Sequence, residues 1–383
     1  MAPASNSDEQ PAPAATRGTV VTVTPEGVPP GSTHDRITLE GFARALARLK
    51  RCDVAGEYQP GRPYAGPLYF VPSDTLTGVQ AARLGIRGPG DLFGGVVPQA
   101  FVATKAISHP LIGDEAAHPP GWNPAFARRL GDAVLDGHSA FSREDAHHAG
   151  LRLLRKGPVR IKPVRAKGGT GQSVARDGAA LQETLDRLDA DEIAEHGLVL
   201  EEHLEEVRTF SVGQVQVDDL VASYWGVQRL TRSNSGAEVF GGSDLTVVRG
   251  GFDALQGLRP APELDRAIGQ ARRYDEAVHA CYAGFFASRR NYDVALGRDA
   301  QGGWRSGVLE QSWRVGGATG PELAALALLR DEPQRQRVRA IGVEVFGDSP
   351  EPPAGAIVHF RGPDPDVGPL TKYTVVESDV HPS

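Results

Sequence analysis

Cysteine is scarce: Cys52 and Cys281 are the only two in 383 residues. Two thiols so far apart make neither a disulfide framework nor a metal-ligand cluster, which fits a reducing compartment. Both read as small apolar residues set into a core rather than as reactive thiols. Basic runs are also missing, and 41 lysines and arginines stand against 48 acids for a formal net charge of −7. Without a basic face, nucleic acid is excluded as the main partner. No apolar run approaches the roughly 20 residues that a membrane helix requires. The opening MAPASNSDEQPAPAATRG has acids and prolines where a signal peptide needs positive charge and an apolar core. A cytoplasmic address with no membrane partner is therefore expected, and residues 1–17 read as a disordered tail. Several catalytic signatures are absent as well. No GxxxxGK[ST] run occurs, and Gly169-Thr170-Gly171-Gln172-Ser173-Val174 has valine where a dinucleotide fingerprint needs its third glycine. GHSAF at Gly137–Phe141 lacks the second glycine of a nucleophile elbow.

What is present describes a globular chain, with 40% hydrophobic and 23% charged residues. Its length allows two or three domains or one composite fold. Leu39, Phe42, Ala43, Leu46 and Leu49 fall at helical spacing in Arg36–Arg51, and LYFVP at Leu68–Pro72 reads as a strand. These belong to an N-terminal α/β segment over residues 18–100. Ser142 caps a helix that runs to Lys156, Gly157-Pro158 ends it, and VRIKPV follows as a strand. LVLEEH at Leu198–His203 is a further strand, and a hairpin turns at Asp218-Asp219. Glu263–Ala287 reads as a long helix, NYDVALG and WRSGVLEQSWRV as a second hairpin, and Pro321 as the start of another helix. Ala237–Gly251 reads either as the acceptor side of a site or as a long surface loop. The pattern is α+β, with a smaller subdomain near residues 140–210 and an irregular segment over 346–383.

Three stretches could carry chemistry. In RIKPVRAKGGTGQSVARD (Arg160–Asp177), Lys162 precedes a glycine-rich turn whose backbone N–H groups could close over phosphate oxygens. The same residues also describe a plain surface strand and turn. In VLEQSWRVGGAT, strand alternation sends Glu310, Ser312 and Arg314 to one face and Leu309, Gln311 and Trp313 to the other. Asp293, on the preceding strand, stands diagonal to Glu310 in the expected register. Two carboxylates with further oxygen ligands suit Mg²⁺, although a solvated face with an Arg–Glu pair has the same pattern. Finally, LVLEEHL turns from apolar to polar at Glu201, as a strand end or as a hinge offering groups to a base and a sugar.

In order, these are a lysine on a strand, a glycine flap, a helix, an acidic strand end, a hairpin, a long helix and a hairpin carrying Asp and Glu-x-x-x-Arg. That order resembles the ATP-grasp superfamily over roughly residues 100–330, within a region expected to span 101–345. The resemblance implies an α+β fold in which two subdomains clamp ATP between antiparallel sheets. It implies that Lys162 touches the nucleotide phosphates, with Gly168, Gly169 and Gly171 as the flap. Glu201, Glu202, His203 and Leu204 become the adenine hinge, with Glu205 or Glu206 near the ribose. Lys105 matches the position of the family's earlier lysine. Asp293, Glu310 and Ser312 become the Mg²⁺ ligands, and Arg314 faces the transferred phosphoryl group. The chain departs from the family at Ser312, where asparagine is usual; the hydroxyl still offers an oxygen ligand. As a whole, the chain looks like an uncharacterised bacterial branch of the superfamily.

The implied activity is ATP-dependent ligation: a carboxylate becomes an acyl phosphate and is attacked by an amine or similar nucleophile. The implied cofactors are ATP and Mg²⁺, and the implied partners are a small-molecule carboxylate and an amine-type acceptor. A homo-oligomer is compatible with the sequence. Two other readings stand beside it, a kinase-like phosphotransferase and a nucleotide-binding regulator without turnover.

Overall fold

The computed structural model describes residues 17–165, 171–348 and 351–377. The expected tail, apart from Arg17, and two of the three flap glycines, Gly168 and Gly169, lie outside the described residues. The chain opens with β1 (Thr19–Val23), α1 (Thr33–Lys50), β2 (Asp53–Glu57), β3 (Leu68–Pro72), β4 (Leu76–Thr77), α2 (Gly78–Arg83), β5 (Gly95–Val97) and α3 (Pro124–Leu130). A smaller unit follows: β6 (Gly137–Ala140), α4 (Arg143–Leu154), β7 (Val159–Pro163), β8 (Ser173–Ala175), α5 (Gly178–Arg187), α6 (Ala190–His196) and β9 (Leu198–Glu202). Next come β10 (Glu205–Val217), β11 (Leu220–Arg232), β12 (Glu238–Arg249), α7 (Phe252–Gln256) and α8 (Pro262–Cys281). The chain then forms β13 (Phe286–Ala287), β14 (Arg289–Arg298), β15 (Trp304–Ser312), α9 (Thr319–Asp331), β16 (Arg337–Phe346), β17 (Ile357–Asp364) and β18 (Gly368–Glu377).

Apolar spacing explains how these elements stack. The stripe expected on α1 is buried at Phe42, Ala43, Leu46 and Leu49 and covers the parallel sheet β2-β1-β3. In the small unit, β7 alternates: Val159 and Ile161 join a core with Ala146 and Leu153 of α4 and Leu181 of α5. Arg160 and Lys162 therefore project from the opposite face. Ser142 caps α4 as expected, accepting from the Asp145 amide at 3.0 Å.

The small sheet has the order β6-β9-β7-β8 and is antiparallel throughout. The large sheet has the order β15-β14-β10-β11-β12-β16-β18-β17. Its back is covered by α8, through Leu264, Ile268, Tyr274 and Val278, and by α9, through Leu323, Leu326 and Leu329. That face of the small sheet and the front of the large one line a single cavity of about 490 Å³. The expected α+β fold is thus present, with two antiparallel sheets facing one cavity.

Two sequence expectations are corrected. Within 346–383 the described residues are not irregular, because β17 and β18 extend the edge of the large sheet. Gly362-Pro363-Asp364 closes β17 and Gly368-Pro369 opens β18, while IVHF and LTKYTVV supply the β-branched and aromatic residues that strands favour. Of the two readings of Ala237–Gly251, the long loop falls: β12 occupies most of it, bonded between β11 and β16. Cys52 and Cys281 are half-buried free thiols packed at core margins. Among the described residues no helix is long and apolar enough to cross a membrane.

Candidate active site

On the small sheet, Arg160 stands opposite Glu201 and Lys162 opposite Val199, so Lys162 and Glu201 are diagonal neighbours on one face. Lys162 Nζ donates to Glu201 Oε1 at 2.9 Å and to the Leu309 carbonyl oxygen at 3.3 Å. Both side chains are nearly sealed, with 2% and 1% of their surface exposed. The other oxygen, Glu201 Oε2, lies 3.4 Å from His109 Nε2. Burial pushes the Glu201 carboxyl upward, but Lys162 and then His109 outweigh it, and the net shift is well downward. Glu201 is therefore a carboxylate at neutral pH, and it holds Lys162 Nζ in the cavity wall.

On the large sheet, Asp293 of β14 pairs directly with Glu310 of β15, and Asn291 with Ser312. The expected diagonal placement becomes a direct one because the register shifts between Asp293 and Val294. That bulge also corrects the alternation locally: Glu310, Ser312 and Arg314 line the cavity as expected, but so does Leu309. Gln311 and Trp313 are buried on the reverse side, as expected. Asp293 Oδ1 accepts from Ser211 Oγ at 3.1 Å and from Asn291 Nδ2 at 2.9 Å. Burial, and then the charge of Glu310, raise the Asp293 carboxyl above its usual range. Burial also pushes Glu310 up, yet the Lys105 ammonium 2.7 Å away brings it net downward.

Two opposed carboxylates with a hydroxyl beside them suit a hard cation, and the raised proton affinity of Asp293 is what an added positive charge would reverse. No group of three or more His, Cys, Asp or Glu that could hold a metal occurs among the described residues. The fit is therefore to an ion that takes one or two carboxylates and completes its shell elsewhere, as Mg²⁺ does with phosphates. Ser312, where the resembled family carries asparagine, sits opposite Asn291, so an amide stands on the partner strand instead.

Beneath this hairpin runs a network that sequence reasoning missed. Arg289 and Glu322 form a sealed ion pair, with N–O distances of 2.8 and 2.9 Å. The Tyr224 hydroxyl donates to Glu322 and, at 2.9 Å, reaches Asn291 Oδ1. Arg289 also donates to the Ser312 carbonyl oxygen at 3.3 Å and to the Arg314 carbonyl. The one legible signal was Glu322 itself, an acid in the otherwise apolar run GPELAALALL. Also missed was an apolar slot beside the hinge, where Leu135, Leu204, Ala295 and Leu309 pack together and line the cavity.

The remaining expected residues divide. Lys105 is brought to the site through Glu310. Gly171 is described, with φ +69°, and the adjoining Gln172 lines the cavity. Glu201, Glu202 and Leu204 line it too, but Glu201 does so as the partner of Lys162. The Glu202 carboxylate accepts from Arg305 at 3.0 Å and from the Asp136 amide at 3.0 Å. His203 and Glu206 are not among the residues that line the cavity. The His203 ring is held 3.1 Å from Arg160, and Glu206, at φ +52° beside a bulge in β10, turns out to Arg298 at 3.1 Å.

Several solved structures are similar to the chain at low identity. N5-carboxyaminoimidazole synthetase from Staphylococcus aureus, complexed with ADP, is 11% identical with a TM-score of 0.49, covering 96% of this chain and 95% of that one. Biotin carboxylase from Campylobacter jejuni, in a β,γ-ATP complex, is 10% identical with a TM-score of 0.49, covering 94% and 88%. D-alanine–D-alanine ligase from Bacillus anthracis is 12% identical with a TM-score of 0.46, covering 81% and 93%. No curated protein matches the chain. The model of one family, described as a protein of unknown function (DUF3182), matches residues 22–374, and the chain belongs to that family.

Proposed function

We propose that the chain is a Mg²⁺-dependent, ATP-grasp carboxylate ligase that forms an acyl phosphate and passes its acyl group to an amine or similar nucleophile. The observation that carries this reading is convergence. Lys162 of the small sheet, Asp293 and Glu310 of the large sheet, and Arg314 just past β15 line one cavity, although Lys162 and its contact Leu309 are 147 residues apart in sequence. A cation on one wall and paired carboxylates on the other suit a metal-bound polyphosphate. The apolar slot of Leu135, Leu204, Ala295 and Leu309 suits a flat base.

In this reading Asp293, Glu310 and Ser312 would hold the ion, which neutralises charge on phosphate oxygens when bound. The Lys162 ammonium and the Arg314 guanidinium offset negative charge on the transferring phosphoryl group. The substrate carboxylate oxygen attacks the γ-phosphorus, and the bond to the bridging oxygen of ADP breaks. The nucleophile then attacks the acyl carbon, phosphate leaves, and the amine proton passes to solvent. No covalent intermediate on the protein is required.

A screen of Mg-ATP with carboxylate and amine libraries tests the proposal, and the expected products are ADP and phosphate. Release of AMP and pyrophosphate would sink the acyl-phosphate route. The Lys105–Glu310 ion pair favours one second reading, a nucleotide-binding regulator in which a protein cation has taken charge from the metal side. That reading expects nucleotide binding with no substrate-dependent turnover across the libraries.

A further inference from the structure

We infer that His109 is a positioning residue for the nucleotide: its Nε2–H locks Glu201, and Glu201 in turn fixes the Lys162 ammonium in the cavity wall. The inference rests on the reading of this cavity as a nucleotide site. Both oxygens of Glu201 are engaged, Oε1 by Lys162 at 2.9 Å and Oε2 by His109 at 3.4 Å. An ionised carboxylate only accepts, so the ring must carry its proton on Nε2. With both oxygens engaged the carboxylate cannot rotate, and Lys162 keeps one position.

The surroundings are built for this contact. His109 is 1% exposed, and its Nδ1 has no partner among the described residues. Burying a ring nitrogen without a partner is costly, and an apolar side chain would fill the space at less cost. Gly137 stands opposite Glu201 in the β6–β9 register. A Cβ at Gly137 would lie 2.8 Å from Cε1 and Nδ1 of the ring and from the Leu200 carbonyl oxygen, so the missing side chain makes room for the imidazole as well as for the neighbouring strand. The residues around His109 point the same way. Lys105 and His109 bracket one short turn, and they hold Glu310 of the large sheet and Glu201 of the small sheet respectively. One segment thereby sets a charged group on each wall.

The test compares His109→Leu, which cannot donate, with His109→Gln, whose amide can still reach Glu201. Dissociation constants for Mg-ATP are measured by calorimetry, alongside the nucleotide-free thermal midpoint. The expected result is about tenfold weaker binding for His109→Leu, as for loss of a hydrogen bond to a buried charge. Gln should restore affinity to within about threefold, by the same arithmetic, while the two variants melt alike. Equal losses in Leu and Gln, or wild-type affinity in Leu, overturn the inference. If His109→Leu does not fold, His109→Asn, too short to reach Glu201, takes its place with the same criteria. In a Lys162→Met background the His109 substitution should cost no further affinity, and additive losses count against the inference. Wild-type protein that binds no Mg-ATP overturns the nucleotide reading itself, whereas binding that ignores His109 overturns only this inference.

Discussion

Asp293 and Glu310 face each other across one hairpin, yet their surroundings push them in opposite directions. Asp293 titrates above the usual aspartate range, through burial and the Glu310 charge. The folded chain therefore holds the Asp293 proton more tightly than the unfolded chain. Its contribution to stability is fully present below the ordinary aspartate pKa and is lost as pH rises through the raised one. Asp293→Asn removes that decline, so the metal-free variant should melt above wild type at pH 7, by about 2 °C, and match it at low pH. Calorimetry across pH checks this, and a variant that melts lower at pH 7 would contradict the electrostatic argument. Glu310→Ala has a different signature. It should abolish Mg²⁺-dependent ATP turnover while circular dichroism stays unchanged, and retained turnover would remove the metal assignment. These residues were legible because strand alternation places every second side chain together. The pairing of Lys162 with Glu201, and the roles of Asn291 and Arg289, were not legible, because they depend on which strands become neighbours.

At the scale of elements, the same division has a physical cause. The α1 stripe, the Ser142 cap and the two long hairpins follow local rules of spacing and turn chemistry. The bulge at Leu309 does not announce itself in sequence, yet it brings Leu309 onto the cavity wall, where its carbonyl meets Lys162. β17 and β18 were hidden because Pro- and Gly-rich turns dominate the composition of their segment. The tie between β14 and α9 was hidden for a different reason: an ion pair between a strand start and a helix start has no sequence spacing to betray it. With both partners sealed, Arg289→Met leaves Glu322 a buried, uncompensated charge and should cost about 3 to 5 kcal/mol. Arg289→Met with Glu322→Leu should recover most of that loss. Urea unfolding of the two variants decides it, and a double variant as weak as the single one would show that the pair is not the main energetic link.

Across the whole molecule, the cavity belongs to neither sheet alone. The small sheet contributes Lys162 and Glu201, the large sheet contributes Asp293 and Glu310, and Arg314 follows just past β15. The two walls meet directly where Lys162 donates to the Leu309 carbonyl oxygen and where Arg305 donates to Glu202. A ligand that touches both walls must therefore stabilise both. At a concentration one hundred times its dissociation constant, Mg-ATP should add about 2.7 kcal/mol to the stability of the chain. Hydrogen exchange then locates the gain. Slowed exchange is expected in β7 and β9 as well as in β14 and β15, because the phosphate-side cation and the metal-side carboxylates are bridged by one molecule. In Glu310→Ala, ATP should slow exchange in β7 and β9 only weakly, since the nucleotide would lose its hold on the opposite wall. Protection confined to the large sheet in the wild-type chain would mean that Lys162 does not meet the nucleotide, and the clamp would have to be abandoned.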